Sequence, residues 1–125
     1  MNLQQLLQRL SEIEPEVCRH KYTAAKATCF EINDTEIWVS NDGLLKMSVD
    51  GCDEFLGDEI ARPWLRDAVE RECERRGWAV STYSRQDEKT ATVVIPPFIA
   101  SCTKSGDTVA HALLAAFVAA CEASR

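Results

Sequence analysis

The stretch TVAHALLAAFVAACEA, residues 108–123, is the most apolar part of the chain and the one against which the rest is read. Residues 112–121 carry no polar side chain. Val109, Leu113 and Phe117 recur on one helical face, and Leu114, Val118 and Cys121 on the neighbouring one. The run falls short of the ~20 apolar residues that span a bilayer, and it carries His111 one turn in and Glu122 at its end. It therefore reads as a buried core helix, its alanines allowing close approach and Leu113, Leu114 and Phe117 supplying most of the burial. Ser105, Gly106 and Asp107 precede it as cap candidates, with Asp107 favoured because its carboxylate opposes the positive end of the helix dipole. Apolar residues on two faces exceed what one sheet covers, so a homodimer packed on this helix is expected.

Working outward, Asn2 caps a first helix whose stripe is Leu3, Leu6, Leu7, Leu10 and Ile13, closed by Pro15. Residues 16–26 are weakly patterned and read as a connection. Residues 28–32, 36–40 and 44–49 read as strands, separated by the turn chemistry of Asn33-Asp34 and Asn41-Asp42-Gly43. After an acidic loop, DGCDEFLGDE at 50–59, Pro63 suits the first turn of a helix running to Arg76. That helix turns Leu65, Val69 and Cys73 inward and sets Asp67 with Arg71, and Glu72 with Arg76, as i,i+4 pairs outside. Gly77 stops it, and residues 78–83 and 90–95 form two further strands, the second ended by Pro96-Pro97. The order is α-β-β-β-α-β-β-α. Strands joined by short turns predict an α+β class, a mainly antiparallel sheet flanked by helices in one domain spanning 1–125.

The 125 residues are 46% hydrophobic and 27% charged, a globular balance, with a net charge of −6. Residues 1–60 hold 12 acids and 5 bases, whereas residues 61–125 hold 8 acids and 9 bases. Direct nucleic-acid binding needs clustered Lys and Arg and is not expected, whereas an acidic first half suits a basic protein partner. The start, MNLQQLLQRLSEIEPE, lacks the basic and apolar regions of a secretory signal, so a cytoplasmic protein without a membrane segment is expected. Six irregularly spaced cysteines without a CxxC pair read as reduced, mostly buried thiols, and no cofactor is called for.

Five constellations of residues bear on chemistry or binding. Asp50, Asp53, Glu54, Asp58 and Glu59 concentrate carboxylates without the register of a calcium loop, which leaves a solvated acidic surface for a partner. Trp64, beside Pro63 on the first turn of its helix, is the tryptophan expected to be partly exposed and so the interface anchor, while Trp38 and Trp78 pack. The loop SCTKSGDT at 101–108 places Thr103, Lys104, Ser105, Gly106 and Thr108 before a helix N-terminus, where an anion or nucleotide phosphate is favoured. Cys18, His20, Cys29 and Cys52 lack the paired spacing of a metal site and read as structural. Cys102 and His111 lack a third orienting group and read as structural rather than catalytic.

From Pro63 onward, a helix ending Arg76-Gly77-Trp78, two strands, and Gly106-Asp107-Thr108 leading into Ala110-His111-Ala112-Leu113 resemble the small phage ABA-sandwich domain proteins. The resemblance covers about half of the chain. It implies an αβα sandwich-like arrangement and a small phage- or prophage-encoded accessory protein in the bacterial host cell, with no catalytic residues to carry over. Two readings follow. The first is a non-enzymatic protein that binds a macromolecular partner, in its concrete form an inhibitor of a host defence or nucleic-acid-handling protein. The alternative is a small-ligand or nucleotide-binding domain that uses the loop before the last helix.

Overall fold

Asn2 opens the first helix, α1 (Leu3–Ile13), through a capping box: its Oδ1 accepts from Gln5 N at 2.8 Å, and Gln5 Oε1 accepts from Asn2 N at 2.9 Å. All five residues of the apolar stripe, Leu3, Leu6, Leu7, Leu10 and Ile13, are buried. The computed structural model describes residues 1–48, 55–96 and 100–125, and of 47, 48, 55, 56 and 100 the backbone alone. Within them the chain divides into two compact units, Met1–Leu65 and Arg66–Arg125.

In the first unit α1 lies on an antiparallel meander of β1 (Cys18–Thr23), β2 (Ala27–Ile32), β3 (Thr35–Ser40), β4 (Leu45–Ser48) and β5 (Phe55–Leu56), paired in that order. The register sets Cys18 opposite Ile32, Phe30 opposite Ile37 and Val39 opposite Leu45, so these residues share the inner face and are all buried. Two bonds tie the helix to that face: Gln4 Nε2 donates to Thr28 Oγ1 at 3.3 Å, and the Cys18 thiol to Leu7 O at 3.6 Å. Each Leu, Ile or Phe so buried contributes about 1.5–3 kcal/mol. Asn33 enters the left-handed region (φ 51°) in the two-residue turn between β2 and β3, as its Asn-Asp chemistry predicts. Residues 18–23 are a strand rather than the connection expected. As an edge strand, β1 buries Cys18 alone, and a register shift between His20 and Tyr22 breaks the two-residue alternation.

The second helix, α2 (Asp58–Arg76), begins five residues before the expected start at Pro63. Proline is tolerated there because it lies barely past the first turn, where the one intrahelical bond it forfeits is to Glu59 O. Gly77 ends the helix in the left-handed region (φ 75°). In the second unit β6 (Ala79–Ser84), β7 (Lys89–Ile95) and β8 (Ala100–Ser105) form an antiparallel sheet in that order, and α3 (Val109–Ala123) lies chiefly on β7 and β8. Ala91 and Val93 on β7 and Leu113, Leu114 and Phe117 on α3 are buried. The N-cap of α3 is Thr108, not Asp107: the Thr108 hydroxyl accepts from His111 N at 3.1 Å.

The class is α+β, with helices flanking antiparallel sheets. The element order differs from expectation. Three strands, β1, β5 and β8, join the five that were legible, and the strands divide between two sheets.

Candidate partner-binding surface

The N-terminal turns of α2 present the most exposed large apolar residues on any helix interior. Ala61 and Leu65, and farther along Ala68, Val69, Glu72 and Cys73, form the buried stripe at helical spacing. Ile60 and Trp64 flank that stripe one turn apart, and each leaves about half of its surface open, 50% and 49%. Glu59 and Pro63, also exposed, complete the surface. Trp64 is thus exposed as its sequence position predicts, and Ile60 joins it. The i,i+4 spacing signals this pair once the helix is known to start at Asp58 rather than Pro63.

Asp58 is occupied by the fold. Its Oδ1 accepts from Leu45 N at 3.0 Å, fixing the start of β4 to the start of α2, and its Oδ2 lies 2.8 Å from Arg62 Nε. Asp58 and Glu59 sit in the first turn of the helix rather than in a loop, where a carboxylate opposes the helix dipole. Asp50, Asp53 and Glu54 lie outside the described residues.

The stretch expected to cradle a phosphate is mostly strand. Thr103, Lys104 and Ser105 belong to β8, opposite Thr92, Ala91 and Thr90, and the Thr103 and Thr92 hydroxyls lie 2.8 Å apart. Gly106 abuts the first turn of α3 so closely that a Cβ there would fall 2.8 Å from both Ala112 N and His111 Cγ. Of the first amides of α3, His111 N donates to the Thr108 hydroxyl, and Ala112 N begins the helical ladder by donating to Thr108 O.

A charge cluster forms inside the second unit where the spacing predicts a surface pair. Glu72 is buried, 1% exposed. Its carboxylate accepts from Arg75 Nε at 2.8 and 3.1 Å, from Arg75 Nη2 at 2.5 Å and from Arg76 Nε at 3.1 Å. The Arg76 guanidinium lies 4.9 Å from the Trp78 ring centroid and 5.4 Å from that of Phe117, and its Nη1 is 3.7 Å from Cys121 Sγ. The buried Glu72 carboxylate thus meets two guanidinium groups, and the Arg76 guanidinium meets charge on one side and two π faces on the other, as in a structural ion pair.

The five described cysteines are free thiols, four of them buried, and Cys102 on β8 is half-buried. Burial pushes the thiols of Cys18, Cys29 and Cys73 up to about 12, the neighbouring Glu36 adding to the effect at Cys29. Cys18 sits on the inner face of its sheet and Cys29 on the outer one, beneath the stacked rings of Tyr22 and Trp38. They point apart, and His20 Nε2 pairs with Thr23 Oγ1 at 2.7 Å, so Cys18, His20 and Cys29 do not converge, while Cys52 lies outside the described residues. Among the described residues no group of three His, Cys, Asp or Glu is placed to hold a metal, and no helix is long and apolar enough to cross a membrane.

All the apolar side chains of α3 from Leu113 to Cys121 other than two half-buried alanines are buried within the chain. A second copy would therefore need a surface other than this helix. No protein-family model, curated protein or solved structure matches the chain.

Proposed function

We propose that this is a non-enzymatic accessory protein of phage or prophage origin that acts in the bacterial cytoplasm by seating the first turns of α2 on a basic surface of a macromolecular partner. The observation that carries the reading is the pair Ile60 and Trp64, half-exposed one turn apart beside Glu59. Tryptophan buries a large area at small entropic cost, and such anchors carry most of the energy of an interface. A helix also holds its anchors in fixed relative positions before binding, which lowers the ordering cost. The acids of residues 50–59 precede this helix in the sequence and add negative charge that favours a basic partner. In concrete form the partner is a host defence or nucleic-acid-handling protein whose basic face is covered.

The test is capture of a partner from bacterial lysate by the immobilised chain, followed by titration of the purified pair. Trp64→Ala should weaken binding by about 30-fold, the loss of about 2 kcal/mol typical of a central anchor. Glu59→Lys should weaken it further at low salt than at high salt. Lys104→Ala, on β8, should bind like the parent. Binding that survives both Trp64→Ala and Glu59→Lys would remove this reading.

A further inference from the structure

Among the described residues, each sheet ends in strands whose outer backbone groups meet no further strand, and such edges invite pairing unless something blocks it. Three of the four edges are blocked. β1 carries Arg19 and Lys21 and the register shift between His20 and Tyr22. β5 has two described residues, and β8 carries Lys104. β6 has none of these devices. Its sequence AVSTYS contains no charge and no proline, it pairs with β7 without a shift over all six residues, and Ala79, Ser81, Tyr83 and Ser84 are exposed.

The neighbouring helix does not close this edge. Between α2 and β6 lies a cleft of about 340 Å³ lined by Arg66, Glu70 and Glu74 on one side and Trp78, Val80 and Thr82 on the other, bridged by Arg66 Nη2 donating to Thr82 Oγ1 at 3.2 Å.

We infer that β6 is the contact between two copies of this chain, paired antiparallel edge to edge into one six-stranded sheet. A two-fold axis normal to the sheet keeps odd-numbered residues of both copies on the same face. Centred on Ser81, it sets Ser81 against Ser81, Val80 against Thr82 and Ala79 against Tyr83. No like charges meet, and small residues leave the backbones free to approach. A second copy is the occupant that fits, because the strand is its own uncharged complement and one contact closes both edges at once.

Sedimentation velocity on the full chain from about 5 to about 200 µM covers the range for a contact smaller than a standard interface. The expected species is twice the 14.0 kDa of the chain, and a 14.0 kDa species throughout would overturn the inference. Ser81→Lys and Ser81→Glu should each raise the dimer dissociation constant at least tenfold by setting like charges opposite each other, and their equimolar mixture should restore the dimer. A dimer unaffected by either variant would place the contact elsewhere. In the unmodified chain, amide exchange over 79–84 should slow as concentration rises, and exchange there independent of concentration would equally overturn the pairing.

Discussion

Removing the Glu72 carboxylate would leave the Arg76 guanidinium between Trp78 and Phe117 without its counter-charge. Truncating one member of a buried ion pair costs about 3–5 kcal/mol, whereas an exposed pair contributes about 0.5 kcal/mol or less. Urea unfolding of Glu72→Ala should therefore show a loss near the lower end of that range, because Arg75 is largely exposed. Asp67→Ala, which breaks the pair of Asp67 with Arg71 (56% and 61% exposed), should change stability little. The two pairs have the same i,i+4 spacing, so spacing cannot distinguish them. Position 72 falls on the stripe of Ala61, Leu65 and Val69, but a glutamate there reads as polar, and its burial depends on the two arginines that neutralise it.

The buried thiols give the stability a pH dependence of definite sign. An unfolded cysteine ionises near 9, whereas Cys18, Cys29 and Cys73 in the fold hold their protons up to about 12. Their contribution is fully present below pH 9 and is lost as pH rises from 9 toward 12, because the unfolded chain alone gains by ionising. Denaturation midpoints should fall across that window, and the fall should be shallower in Cys18→Ala than in the parent. A fall of equal slope in the two proteins would mean that other groups account for it.

At the level of elements, the junction of β8 and α3 depends on a residue without a side chain. Gly106→Ala would set a Cβ against a backbone nitrogen and the base of the His111 ring, neither of which can swing away. A loss of about 1–3 kcal/mol is expected, as for overpacking in a core. Gly57→Ala meets nothing within 4 Å and should be tolerated, so thermal unfolding of the two variants side by side tests the close approach. α1, with one clean apolar stripe, and α3, apolar on two faces, were legible in the sequence, as were β3 and β7, where buried residues alternate, and β2, where three buried residues run together. β1 and β8 were not. One is an edge strand with a single buried residue and an interrupted alternation, the other a run of small polar residues whose composition is that of a loop. The start of α2 was hidden by Pro63, which marks a first turn more often than a second. Trp64 was legible as an exposed residue because it follows a proline near a helix start, whereas exposed Ile60 became visible only with the true start at Asp58.

On the scale of the molecule, the charge is the property most directly tied to behaviour. With a net charge of −6, contact with phosphate backbones is repulsive. Fluorescence anisotropy with a labelled duplex should show no saturable binding at about 150 mM salt, where even weakly basic proteins retain some. Saturable binding would count against the proposed protein partner. The division into two sheets was not legible, since hydrophobic patterning identifies strands but not which of them share hydrogen bonds.

Both sheets are meanders in which each strand pairs with its neighbour in sequence, β1 through β5 and β6 through β8. Such local pairing keeps loop-closure costs small and places refolding on a timescale of about milliseconds, as stopped-flow fluorescence of the three tryptophans would record. It also means that no strand of the first sheet waits for a partner from the second. During synthesis, at about 5–20 residues per second, the first sheet has its full complement of strands several seconds before the last helix leaves the ribosome.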